Sequence, residues 1–183
     1  MQPEDELRAD HMAIRRGAKV LEHLAHHLRE GHGVRNTDMF TLVDLLDRAA
    51  GEDHHGKEEQ ILFAFLRERR TRFGFDGLRS FHEDHDELGD LLADLRELVG
   101  PACEGDQRAR QRLDKMATRY REATRDHLRR EEQTFLDRLH ENLSTDEIQD
   151  LADRLAAFDG APKARDRLED RSDRLANGYE DAF

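Results

Sequence analysis

The chain is poor in several features, and each scarcity excludes a class of protein. Of its 183 residues only Cys103 is a cysteine, so no internal disulfide can form, and the cytoplasm is the expected compartment. No stretch of about 18 apolar residues occurs, which rules against a transmembrane helix. The start, Met1-Gln2-Pro3-Glu4-Asp5-Glu6, lacks a basic run leading into an apolar segment, so no signal peptide is expected. Basic charge is outweighed: the formal net charge of −12 repels nucleic acid and anionic membrane, and neither is expected as a partner. Prolines stand only at 3, 101 and 162, the last two between periodic segments and the first ahead of them. The length allows one domain with a core, or one domain and a tail.

What the chain does have is a repeated phrase. Asp precedes His at Asp10-His11, Asp53-His54, Asp84-His85 and Asp126-His127. The second and fourth copies run on alike, as His54-xxx-Glu58-Glu59-Gln60 and His127-xxx-Glu131-Glu132-Gln133. His11 and His54 stand 43 residues apart and His85 and His127 stand 42 apart. This is a duplicated two-helix unit, each copy giving one His from its first helix and a His-Glu pair from its second. Four imidazoles and two carboxylates that converge by duplication have the chemistry of metal ligands.

The periodicity predicts helices throughout: about Glu4 to Glu30, Asn36 or Thr37 to Arg70, Leu78 to Val99, and Asp106 to Asn142, with a connector from Thr71 to Gly77. Ser144-Thr145-Asp146-Glu147 has the form of a capping box and should start a fifth helix that ends near Asp159. Four long helices with short links imply an all-α, antiparallel up-down four-helix bundle over residues 1–158, with an additional C-terminal helix. Residues 159–183 are charged and read as a tail, either a solvated helix or disordered.

The histidines fall on the apolar faces. Leu7, Ile14, Ala18, Leu21, Ala25 and Leu28 are spaced three and four apart, and His11 fills the step between Leu7 and Ile14. Val43, Leu46, Ala50, His54, Glu58, Ile61 and Phe65 form a second seam; Leu113, Met116, Tyr120, His127, Glu131 and Phe135 form a third. A lone His on such a face is usually a hydrogen-bonded core residue. Two carboxylates so placed, with no Lys or Arg in the seams at their level, instead call for a strong cation. On the third helix His85 points inward and His82 is expected outside the site, because Phe81 lies nearer the centre of the stripe Leu88, Leu92, Leu95 and Val99. His55 could swing to a second metal and is expected at the surface. His23, His26, His27, His32 and His140 lie too far along their helices to join. The Asp before each His points ~100° away from it, either as an acceptor for a neighbouring ligand's Nδ1 or as plain surface charge.

The pattern His11, His54-xxx-Glu58, His85, His127-xxx-Glu131, with the phrases HHGKEEQILF and DHLRREEQTFL, resembles the hemerythrin-like, or HHE cation-binding, domain family over roughly residues 5 to 158. The resemblance implies two non-heme irons bridged by Glu58 and Glu131 and by an oxo or hydroxo group, with His11, His54, His85 and His127 as terminal ligands. The chain departs from the oxygen-carrying hemerythrins, which have two His on the third helix and an Asp in place of Glu131. A site with fewer imidazoles leaves positions for water. Such a donor set suits di-iron first, with di-manganese or a mixed pair behind it, better than tetrahedral zinc. The expected partners are therefore the small ligands O2, H2O2 and NO, and the expected role is a scavenger reacting with them; an iron or oxygen sensor, or a store, is the alternative. The oligomeric state is left open.

Overall fold

A computed structural model describes residues 2–69, 75–158 and 163–179, with the backbone alone for 75–77. Helix α1 (Pro3–Arg29) begins with a proline where a helix needs no N–H, followed by Glu4, Asp5 and Glu6 at the positive end of its dipole. It ends in a Schellman turn: Gly31 (φ +95°) lets His32 N–H donate to the His27 carbonyl at 3.1 Å and Gly31 N–H to that of Leu28 at 3.1 Å. The second bundle helix is assembled from α2 (Asn36–Leu46), two wide π-type stretches, π1 (Asp47–His55) and π2 (Glu58–Leu62), and α3 (Phe63–Glu68). Helices α4 (Phe75–Cys103) and α5 (Gln107–Thr134) complete the all-α bundle, and α6 (Leu139–Asn142), α7 (Thr145–Ala156) and α8 (Ala164–Gly178) follow. Among the described residues no helix is long and apolar enough to cross a membrane.

Two helix ends and the winding of the second helix differ from the sequence expectation. Helix α4 runs through Pro101 to Cys103 instead of ending at the Gly-Pro pair. Pro101 sits in the last turn, where its missing N–H costs one backbone bond while its carbonyl still accepts from Asp106 N–H at 3.0 Å; the chain reverses at Gly105, φ +104°. Helix α5 stops at Thr134, because a break at Phe135 folds Leu136, Leu139 and Leu143 back against an apolar cluster. The winding of the second helix widens at π1 and π2, around Gly51 and Gly56. The connector at Thr71–Gly77 and the junction at 159–162 lie largely outside the described residues.

The capping box forms as read: Ser144 Oγ accepts from Glu147 N–H, and Glu147 Oε2 accepts from Ser144 N–H at 2.8 Å. Helix α7 buries Ile148, Leu151 and Leu155 with Leu62, Phe63 and Leu136 in one apolar cluster. The charged C-terminal stretch is helical and docked along one face. Ala164, Leu168, Ser172 and Leu175 recur every three or four residues and are buried against α1 and α2. The approach is close at Gly17, where a Cβ would lie 2.8 Å from Leu168 Cδ1. Arg165 reaches Asp10 at 3.1 Å and Arg171 reaches Asp38 at 2.6 Å, so much of the tail's charge is paired with the bundle.

Two apolar clusters fill the bundle, one from Ala13 and Ile14 upward along α1 and one containing Leu7, Phe63, Phe81 and Phe135. Between them lies a polar layer. On every bundle helix the His or Glu in question falls between a residue of one cluster and a residue of the other.

Leu168 is fully buried between α1 and α2, so Leu168→Ala should lower stability by about 2–4 kcal/mol in urea or thermal unfolding. A change within about 0.5 kcal/mol would mean that α8 is not docked.

Candidate metal centre

The polar layer contains the six residues singled out by the duplication. His11, His54, Glu58 and Glu131 are fully buried and offer ligand atoms within 4.8 Å of one another. His85 and His127 lie beside them in a second group, again within 4.8 Å, whose third member is His55. Glu58 faces both groups with different oxygens: Oε1 is 3.1 Å from His54 Nε2, and Oε2 is 3.3 Å from His85 Nε2. Glu131 Oε2 lies 3.5 Å from His11 Nε2 and 3.7 Å from His127 Nε2. Each carboxylate thus spans the two groups.

His55 is where the structure departs from the sequence reading, which put it at the surface. It is buried, 8% exposed, with its ring 3.8 Å from that of His85 and nearly parallel to it. The position after the inward His is covered by a neighbouring helix, here by His85 of α4, as Leu128 is covered at the same register of the regular helix α5. His82 is half-exposed, with Nδ1 3.2 Å from Glu59 Oε1, and stays outside the buried layer as the stripe predicts. His26, His32 and His140 join none of these groups; His140 pairs with Glu4 at 2.7 Å.

Each imidazole that turns Nε2 inward has a carboxylate at its Nδ1, and the duplication supplies these too. His11 Nδ1 meets Glu132 Oε1 at 2.8 Å, and in the other half His85 Nδ1 meets Glu59 Oε1 at 2.7 Å. His127 Nδ1 meets Asp84 Oδ2 at 3.2 Å, and His54 Nδ1 lies 3.8 Å from Asp10 Oδ2, an ion-pair separation too long for a hydrogen bond. The second Glu of each Glu-Glu pair and Asp84 orient the rings by hydrogen bonds, while Asp10 faces His54 without one. The alternatives left open for the Asp residues thus divide by helix: Asp10 and Asp84 face a neighbouring imidazole, whereas Asp53 pairs with Lys57 and Asp126 with Arg125. Cations anchor the outer carboxylates in turn, Arg15 on Glu132, Arg130 on Asp84, and Lys57 with Arg165 on Asp10. Lys57 is a buried cation at this level that the seam reading missed. It serves Asp10 and Asp53, not the inner glutamates.

The electrostatics of the metal-free layer follow from burial and mutual repulsion. Burial and the neighbouring charge of Glu58 hold the Glu131 carboxyl well above its usual range. Glu58 is held well below its range: burial opposes this, but the His54 charge and the contacts of Glu131, His11 and His85 outweigh it. Against its own burial, His11 is pushed up to about 11 by Glu131, Glu132 and Glu58. Burial pushes His127 down to about 4 and His55 well below the usual imidazole range.

This donor set fits a metal pair. Nε2 of His11, His54, His85 and His127 and all four oxygens of Glu58 and Glu131 are buried with no hydrogen-bond partner. Leaving so many orphaned acceptors and donors in a dry layer costs about 1–3 kcal/mol each. Cations placed among them remove that cost.

His11, pushed up to about 11, holds a proton in the metal-free chain at neutral pH, and Glu131 is held well above its usual range, so an entering ion must displace protons. Affinity should therefore rise with pH across the neutral range, and adding ferrous iron to weakly buffered protein under nitrogen should release protons at a pH electrode. Uptake without proton release would mean that these side chains do not face the ion. Glu132→Gln and Asp84→Asn should each weaken metal retention against a chelator by about 10–100-fold, while Asp126→Asn leaves it unchanged.

No curated protein matches the chain. A family model does: the one described as Hemerythrin HHE cation binding domain matches residues 2–139, most of the chain and every residue of the buried layer. With that match over the bundle and the orphaned His and Glu donors at its centre, the chain belongs to the hemerythrin family of HHE cation-binding domains.

Proposed function

We propose that the protein holds a pair of irons through His11, His54, His85, His127 and the bridging carboxylates of Glu58 and Glu131, and that the pair reacts with O2, peroxide or nitric oxide as a scavenger. The observation that carries this reading is the two-sidedness of Glu58, whose oxygens face different imidazole groups at 3.1 and 3.3 Å. Iron suits a mixed imidazole and carboxylate set with room for five or six ligands, and manganese is the competing choice.

The chain's own residues restrict what can react there. His11, His54, Glu58 and Glu131 expose no surface, so a reactant larger than a few atoms reaches them only if the helices part. Phe63, Phe81 and Phe135 form an aromatic wall beside His85 and His127, with ring centroids 5.0–6.3 Å apart among themselves, and keep water from that side. At the rim, half-exposed Glu59 touches both His85 Nδ1 and His82 Nδ1 and can pass protons between the layer and solvent. When bound, a redox-active metal pair supplies the electron exchange that peroxide decomposition or nitric oxide capture requires.

A sensor is the second reading, favoured by one observation: the layer that needs the cations separates the two apolar clusters, so metal loss would loosen the whole bundle.

The purified protein should hold about two irons per chain, and Glu58→Ala and Glu131→Ala should each lose or weaken both. Iron-loaded protein should decompose peroxide catalytically or change its absorption spectrum with nitric oxide, and should oxidise under air without a lasting oxygenated form. Full metal content in both variants would sink the site assignment. Reversible colour over repeated cycles of air and vacuum, without peroxide turnover, would make it a carrier. Inertness combined with iron-dependent protease resistance would make it a sensor.

A further inference from the structure

The duplication that builds the buried layer is broken at one position. In the phrase that carries each His-Glu pair, the residue after the His is Leu128 in the second copy and His55 in the first. Leu128 is 1% exposed and belongs to the apolar core, as a residue at that register should. His55 is also buried, yet it is an imidazole, and its surroundings are polar. Its ring centroid lies 3.8 Å from that of His85, 5.6 Å from that of His54 and 5.7 Å from that of His127. One nitrogen of each of His55, His85 and His127 lies within 4.8 Å of the others, near enough to take one ion once the His55 ring turns out of its stack on His85. Among the described residues no hydrogen bond to the His55 ring is seen, and its contacts there are with other imidazole rings.

The two groups also differ in how they meet the glutamates. Glu58 Oε1 is on the side of His11 and His54, and Oε2 is on the side of His85. An ion on the first side has two imidazoles. On the second side His85 and His127 supply two, and His55 offers a third from the same helix that carries Glu58. We infer that His55 is a metal ligand, giving the ion held by His85 and His127 a third imidazole and making the two metal positions unequal. Within π1 the His55 ring already meets those of His85 and His127 on this side. Exchangeable positions then lie on the ion held by His11 and His54.

This inference rests on the two-ion reading above, and the test separates them. Wild type, His55→Phe and His55→Leu are titrated anaerobically with ferrous iron against a competing chelator, and bound metal is counted. Phe keeps an aromatic ring to stack on His85 but removes the nitrogen; Leu is the residue that the other copy accommodates at the same register. Far-ultraviolet circular dichroism of the metal-free forms checks that each variant folds, and the better folded of the two is read. Wild type should bind two irons. The variant should keep one near its wild-type affinity and bind the second more than about 100-fold more weakly, beyond the ~10–100-fold that loss of an outer carboxylate causes. Mössbauer spectra should show two inequivalent irons in wild type and mainly one in the variant. Two irons bound as tightly as in wild type would overturn this inference alone and reduce His55 to a wall against His85. A wild type without two irons would overturn the two-ion reading and this inference with it.

Discussion

Two carboxylates buried side by side set the terms for this molecule. Glu58 and Glu131 expose no surface and have no protein hydrogen-bond partner, and each lies against imidazoles rather than against Lys or Arg. Left alone they cannot both ionise, which is why one is driven above and the other below its usual range. An apolar pair of the same size would stabilise a bundle better. Such a layer has the chemistry of a cation site, and the rest of the fold holds it dry, with one apolar cluster on each side.

Duplication supplies both the inner donors and their supports. The same short phrase, used twice, delivers an inner His and Glu, an outer Glu that fixes the ring on the partner unit's first helix, and a basic residue three positions after the His. That basic residue is Lys57 in one copy and Arg130 in the other, and each pairs with the Asp beside the inward His of a neighbouring helix. Fixing Nδ1 by a carboxylate leaves Nε2 as the inward lone pair and raises its basicity. The halves are alike in this wiring, and they differ where function can differ, at His55 opposite Leu128.

The C-terminal helix joins the same network. Asp10 is buried, touched by Lys57 from the second bundle helix and by Arg165 from α8, and lies beside His54. The ion pairs and its burial oppose each other, and the pairs prevail, holding the Asp10 carboxyl below its usual range. A segment outside the bundle thus steadies an outer carboxylate of the centre, and the low hydrophobicity of that segment is offset by pairing its arginines with Asp10 and Asp38.

The sequence by itself determined the all-α bundle, the capping box and the six inner residues, because helical periodicity and a duplicated phrase at nearly equal steps are signals that survive without coordinates. His11 between Leu7 and Ile14 could face only the core. Four things required tertiary structure. Which of the four Asp-His aspartates turn toward an imidazole depends on the helix next door: Asp10 and Asp84 find one, while Asp53 and Asp126 do not. The tail's spacing of Ala164, Leu168 and Ser172 docks closely against α1, where Gly17 carries no Cβ to crowd Leu168. Pro101 continues a helix because it occupies the last turn. His55, which could swing to a second metal and was expected at the surface, is instead covered by the neighbouring helix that carries His85.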